Sequence, residues 1–560
     1  MMGQPIYAIR ALIRLLRNLV RRAMPPPDYV VFTLDGAYPD LPAAPGPWWQ
    51  RWMSPSETSL RDLSRQFEIV ARDSRVSGVV LRLRSLDMPV ARLQSLRDLI
   101  GKLKRADKRV IAWATSYDHS TYYVASMADE ILVQPGGAIQ PLGVARSFVF
   151  LKDALERIGI EADFLKISPY KSGADSLTRA EMSPGMRAMM DWILDDLHDE
   201  QIQAIAEGRS LDADQARSLV DESPYTDALA VGAGLIDGMV NEEGLPEHLG
   251  ADQPAELSHW EAARKRLPMS PLPLPGRGVT LLRVEGDIVD GPSRRPPRRS
   301  PVPVPLVTNP RAGDLSVVAQ VRRLERDRRT GAVVVWIDSG GGSATASEAM
   351  ASALDRLATK KPVVVAMSSV AASGGYYVAT PGQWIVAQPG TLTGSIGVLY
   401  GKLVNAHMLA KLDIHRETLR RGAHADFHKP GRPFTSEERE TIWTLMTRIY
   451  DVFLERVSTS RALPREDVEP ISGGRVWTGR QAYQHGLIDE IGSLEAAIAR
   501  ARDLAGLSSR SALREVPIPT SAMPSAPSAS TAGLIDYALD NLAALPEARA
   551  YCLMPIYPQR

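Results

Sequence analysis

Short, nearly continuous apolar runs at residues 30–34, 79–83 and 110–114 alternate with amphipathic stretches of helical period. The same order returns at 279–284, 332–337 and 363–367. Continuous rather than alternating hydrophobicity predicts strands buried on both faces. The helical stretches between them predict βαβ units and a mainly parallel sheet. The chain opens differently. In residues 5–23, PIYAIRALIRLLRNLVRRA, Arg10, Arg14, Arg17 and Arg21 recur at helical spacing beside Ile6, Ile9, Ile13, Leu16 and Val20. Arginine on every turn rules out a spanning helix, which needs roughly 20 apolar residues. It also departs from the uncharged centre of a signal peptide. The segment predicts a basic amphipathic helix lying in an anionic membrane surface, the alternative being a helix docked on the protein body.

The two sets of runs belong to an internal repeat. Residues 122–144, YYVASMADEILVQPGGAIQPLGV, match 376–398, YYVATPGQWIVAQPGTLTGSIGV, at 10 of 23 positions without a gap. Upstream, VSGVVLRL (76–83) resembles RTGAVVVW (329–336); downstream, YTDALAVGAGLID (225–237) resembles WTGRQAYQHGLID (477–489). Order kept over this length indicates a tandem duplication. The expected organisation is an amphipathic helix at 1–24, a first repeat at 28–250, a Pro-rich linker at 251–278, a second repeat at 279–507 and a Ser/Pro-rich tail at 508–560. The tail is expected to be disordered apart from a short helix near 534–544. A basic, proline-rich stretch at 291–305 predicts an extended solvated loop.

Composition narrows the chemistry. A net charge of +1 gives no basic surplus for tracking phosphates, so no nucleic-acid partner is expected. Cys552 is the one cysteine, which excludes an intramolecular disulfide and a Cys-cluster metal site. The nine histidines form no HExxH, so a metal hydrolase is disfavoured and no metal or cofactor is expected.

The second repeat carries two glycine-rich stretches, each after an apolar run. In VVVWIDSGGGSATASEAM (333–350) the turn from Ser339 to Ser343 leads into a helix, with backbone amides expected to face an anion. In VVVAMSSVAASGGYYVAT (363–380) Ser373 stands at a strand-to-helix junction before Gly374 and Gly375. A serine hydroxyl beside free amides suits acyl transfer, in which the N–H groups hold the oxyanion. The repeat sharpens this. Ser373 aligns with His119, and the glycine turn aligns with SLDMPV (85–90), which has no glycine. Only one copy of the fold carries these features, so folding does not demand them. The serine needs a base. His415, His424, His428 and His485 lie in the same repeat, but no pattern singles one out.

The strings SGGGSATASE, AASGGYYVAT, GTLTGSIGV and, in the first repeat, SPYKSGADSLTRAEMSP resemble the signal peptide peptidase A family, the S49 serine peptidases, in their long duplicated form. The resemblance covers roughly residues 28–505, and the four motifs stand in the family's order. It implies an α/β fold of ClpP/crotonase type, with two ββα-spiral domains in tandem. It also implies Ser373 as nucleophile and Lys171, in the Tyr-Lys-Ser motif, as general base. The repeat places the counterpart of Lys171 near 423–425, where there is no lysine. Apart from the motif, nothing distinguishes Lys171 from Lys166. A lysine serves as base only with a pKa well below about 10.4, which burial can supply.

The resemblance implies oxyanion donors at the amides of Gly341 and Gly374, and Ser395 as a candidate for orienting the lysine. One departure stands out: the family's Asn-Ser-Pro-Gly-Gly-Ser reads Asp-Ser-Gly-Gly-Gly-Ser here, with Asp338 and Gly340 at the changed positions. The implied activity is degradation of peptides, such as cleaved signal peptides, at a bacterial-type inner membrane, by a homo-oligomer that is tetrameric in long members. The alternatives are a crotonase-type acyl-CoA enzyme and a catalytically silent membrane scaffold.

Overall fold

Alternate side chains of each apolar run enter two different cores, which is why the runs are nearly continuous. The computed structural model describes residues 3–42, 58–295, 310–516, 521–522 and 549–553. After α1 (Gly3–Ala23) come β1 (Tyr29–Leu34), α2 (Leu60–Ala71), β2 (Gly78–Leu83), α3 (Val90–Lys104), β3 (Arg109–Ala114) and β4 (Glu130–Val133). Val30, Val79 and Val110 pack into one apolar cluster with the inner faces of α2 and α3. Val31, Val80 and Ile111 pack into a second cluster on the opposite face. A capping box between Ser59 and Asp62 starts α2.

The first repeat continues through β5 (Glu161–Lys166), α4 (Pro184–Arg209), β6 (Gly238–Met239) and β7 (Leu257–His259). Its central sheet has the order β6-β4-β3-β2-β1-β7, with every pairing parallel.

The second repeat begins with β8 (Leu274–Glu285), β9 (Thr330–Ser339), β10 (Gly341–Ser343), α5 (Ala344–Ala358) and β11 (Val363–Ala372). There follow α6 (Gly374–Ala379), β12 (Trp384–Ala387), β13 (Leu392–Gly394), β14 (Leu399–Val404) and α7 (Ser436–Arg461). The last elements are β15 (Glu490–Ile491), α8 (Leu494–Leu504), β16 (Ser511–Glu515) and β17 (Arg549–Leu553). Here the parallel pairings run β15-β12-β11-β9-β8-β16, the order of the first repeat. The chain is therefore an α/β tandem duplication of one domain built on a parallel sheet.

Two expected boundaries are corrected. The segment 251–278 is no bare linker: β7 pairs with β1 inside it, and β8 starts at Leu274. The region after 507 is not all tail, because β16 pairs in parallel with β8. Each repeat thus closes on its own first strand with a short, half-polar segment, LSH or SALRE, too polar to read as a buried run. The glycine turn also differs from expectation. It reaches α5 through β10, whose residue Gly342 pairs with Ile288. The helix expected near 534–544 and most of the 291–305 loop lie outside the described residues.

A separate sheet joins the repeats. β5 of the first pairs antiparallel with β14 of the second, from Lys166 opposite Leu399 to Glu161 opposite Val404. α4 crosses to the second repeat, where Trp192 stacks on Trp477 at 5.0 Å and its Nε1 donates to Val476 O at 3.0 Å. These contacts fix the segment between β5 and α4, which contains Lys171.

Candidate active site

β11 runs beyond its predicted end to Ala372 because Val370–Ala372 pair with β13. The chain then turns sharply. Ser373 has φ 56° and ψ −115°, a conformation costly for a residue with a Cβ and held here by its surroundings. Its N–H donates to Gly394 O at 2.7 Å, and its carbonyl accepts from Tyr377 N at 2.8 Å. The side chain is fully buried.

Lys171 arrives from the first repeat. Its Nζ donates to Ser373 Oγ at 2.7 Å, to Ser395 O at 2.9 Å and to Ser395 Oγ at 3.0 Å. Lys171 and Ser395 are both fully buried. The Ser395 N–H donates to Arg475 O at 2.6 Å, tying it to the loop before the 476–478 strand. Lys166, equally plausible by sequence, is engaged elsewhere: its Nζ pairs with Asp175 at 2.8 Å. The region 423–425, where the repeat puts a counterpart to Lys171, is an exposed turn.

The predicted donors differ from each other. Gly374 opens α6, and its amide donates to no atom among the described residues, as expected in the first turn of a helix. A Cβ there would fall 2.7 Å from Ser347 Oγ and 3.1 Å from Gly342 N, so only glycine lets the two loops meet this closely. Gly341 is already engaged: its N–H donates to Ser339 Oγ at 3.1 Å, while Ser339 Oγ donates to Gly286 O at 2.6 Å. The expectation of a freely available Gly341 amide is corrected accordingly.

Asp338 turns away from the serine. It accepts from Arg92 Nη2 on α3 at 2.7 Å and from Val370 N at 3.3 Å, joining the repeats behind the site. Burial pushes its pKa up to about 6; Arg92 opposes the shift, and the like charges of Asp40 and Glu285 add to it.

The counterpart of the site in the first repeat is blank. His119 occupies the serine's place, and its Nδ1 meets Leu142 O at 2.8 Å. Since a carbonyl only accepts, Nδ1 carries the proton there.

Sequence reasoning missed Gly474. Its N–H donates to Ile396 O at 2.7 Å, and with φ 88° it packs against the Lys171 stem. The visible signal was the glycine pair in ISGGRVW (471–477). β17 was also missed. It lies between β10 and β14, antiparallel to both: Leu553 faces Gly341, Tyr551 faces Ser343 and Leu399, and Arg549 faces Gly401. The strand beside the glycine turn is thus paired with a segment of the chain itself.

The model of the family described as Peptidase family S49 matches residues 102–253 and again 355–508, one match in each repeat. The chain belongs to peptidase family S49. Among its relatives, the Arabidopsis thaliana protein named Serine protease SPPA, chloroplastic, is 29% identical over 481 residues, covering 84% of this chain and 69% of that one. Protease 4 of Haemophilus influenzae is 28% identical over 472 residues, covering 80% and 74%. A shorter relative, the putative signal peptide peptidase SppA of Enterococcus faecium, is 32% identical over 184 residues, covering 32% of this chain and 53% of its own. Among solved structures, a ClpP1 point mutant from Listeria monocytogenes matches with a TM-score of 0.24 and 13% identity, covering 39% of this chain and 94% of that one. The S49 chain is accordingly a serine-type peptidase.

Proposed function

We propose that this S49 peptidase is a Ser/Lys-dyad endopeptidase acting on extended peptides, including cleaved signal peptides, at a membrane surface. The observation that carries the proposal is the 2.7 Å bond between Lys171 Nζ and Ser373 Oγ in a fully buried setting. Burial disfavours the ammonium form of a lysine, and the neutral amine can accept the hydroxyl proton. Ser373 Oγ then attacks the scissile carbonyl, and the Gly374 amide receives the oxyanion. Gly341 joins as second donor once its bond to Ser339 Oγ is exchanged. The amine leaves with the proton held by Lys171. Water, deprotonated by the same amine, releases the acyl group and restores Ser373. Ser395, with two oxygens on Nζ, is the positioning residue.

β17 supports the choice of an extended substrate. A strand of the chain fits between β10 and β14 in antiparallel register, so a peptide can take backbone hydrogen bonds there with little demand on side-chain identity. The same strand competes with substrate for this place.

The membrane reading rests on how α1 is mounted. Asn18 Nδ2 donates to Met269 O at 3.0 Å and Arg21 Nη1 to Leu267 O at 3.0 Å, so a polar stripe faces the body. Ile9, Leu12, Leu15, Leu16, Leu19 and Val20 point outward, each more than half exposed. A helix with its apolar side turned to solvent suits an interfacial position. No helix among the described residues is long and apolar enough to cross a membrane. Homo-oligomerisation, as a tetramer, is part of the same proposal.

The deciding experiment is active-site labelling with a fluorophosphonate, alongside cleavage of a signal-peptide mimic. Wild type labels and cleaves, while Ser373→Ala and Lys171→Ala do neither. Equal cleavage by Ser373→Ala overturns the mechanism.

A further inference from the structure

Between α1 and the body lies a cavity of about 620 Å³, within the size range of small-ligand sites. It lies at the seam of the two repeats, lined by α1, α2, α3, residues 269–273 and the region from α8 to β16. Seven cationic side chains line it against two carboxylates, Glu68 and Glu495.

Arg61 stands out among the seven. It is only 7% exposed, yet its guanidinium makes no hydrogen bond or ion pair with any described residue, and its Nε is buried without an acceptor. Burial, joined by the like charge of Arg65, lowers its pKa, and Glu495, Glu515 and Asp62 oppose that shift only in part. Glu68 is taken by Arg72, and Glu495 stands beyond ion-pair distance of Arg61 among the described residues. Native structures rarely leave a buried charge unmatched, since desolvation without a partner is expensive. Arg14 on α1 and Lys102 on α3 line the same cavity and add positive charge around this unmatched donor.

We infer that this cavity is a binding site for a phosphate group, that of an anionic phospholipid, with Arg61 as its anchoring cation. A guanidinium matches phosphate oxygens with paired N–H donors, and the surrounding cations suit an anion with several oxygens better than one carboxylate. The lipid source follows from position. The cavity wall includes α1, whose outer face is apolar, so acyl chains could run along that face while the headgroup sits beneath it. This source rests on the interfacial reading of α1 given above; the phosphate chemistry does not.

The test uses the full chain and two vesicle compositions, phosphatidylcholine alone and phosphatidylcholine mixed with phosphatidylglycerol, read by co-sedimentation. Arg61→Gln is expected to weaken binding to the mixed vesicles about five-fold or more while leaving binding to neutral vesicles unchanged. Cleavage of a soluble peptide should not change, which keeps this result separate from the peptidase reading. If Arg61→Gln fails to fold, Lys102→Gln, at an exposed position lining the same cavity, is expected to show a smaller loss of the same kind. Mixed-vesicle binding equal to wild type in these variants overturns the proposal. If wild type binds neither vesicle, the lipid source is wrong. Titration with glycerol 3-phosphate then decides: Arg61-dependent binding retains a site for a soluble phosphate ester, and no binding removes the site.

Discussion

Gly474 packs directly against Lys171: a Cβ at position 474 would fall 2.7 Å from the lysine's Cα and Cβ and 2.8 Å from its Cδ. The backbone there also has φ 88°, which strains any residue with a side chain. Gly474→Ala is therefore expected to push Lys171 off Ser373 while the remote sheets stay folded. A displacement near 1 Å in a positioned group costs about 10²-fold in rate. The check is kcat on a peptide substrate together with fluorophosphonate labelling; an unchanged kcat would show that the lysine tolerates displacement.

Removing either member of the pair should cost nearly the whole rate. Ser373→Ala and Lys171→Met are each expected to lose about 10³-fold or more in kcat/KM, and the double variant little further, because the two act as a unit. Additive losses in the double variant would argue that lysine and serine work independently.

β17 occupies the place assigned here to substrate. Truncation after residue 548 should lower the apparent KM for peptides, because a tethered strand competes at an effective concentration on the order of millimolar. A peptide spanning 549–553 added to the truncated enzyme should restore competition. Equal KM with and without the strand would show that it does not compete with substrate.

Asp338 sets a pH dependence of stability. Its folded pKa of about 6 lies above its ordinary carboxylate value, so the folded chain holds this proton more tightly than the unfolded chain. The resulting stabilisation is complete below about pH 4 and is lost as pH rises through 6. Asp338→Asn does not titrate and resembles the neutral, protonated form of Asp338. The variant should melt near wild type at acid pH, yet decline less than wild type between about pH 4 and 7. Parallel melting curves across that window would rule out Asp338 as the group responsible.

Much of this architecture was legible in the chain, for identifiable reasons. Strands such as β2 and β3 are buried on both faces, so their apolar runs had no competing explanation. β7 and β16 pair at sheet edges with half-exposed, polar residues, and nothing local separates them from a linker or a tail. Ser373 was legible because its glycine neighbours occur in one repeat only. Lys171 was legible through its motif alone. What distinguishes it from Lys166 is made by residues far along the chain: Ser395 accepts from its Nζ, and Gly474 makes room for its stem. The engagement of the Gly341 amide with Ser339 Oγ is likewise a matter of side-chain rotamer, which no spacing rule encodes.

The separation of Lys171 from Ser373 by 202 residues also has a consequence during synthesis. The ribosome delivers the first repeat, with its lysine, long before the serine exists, and the sheet that holds the serine closes only when 511–515 emerge. On the proposed Ser/Lys mechanism a nascent chain of this peptidase is therefore harmless to itself and to its neighbours for most of its translation, with no separate inhibitory segment needed to keep it silent.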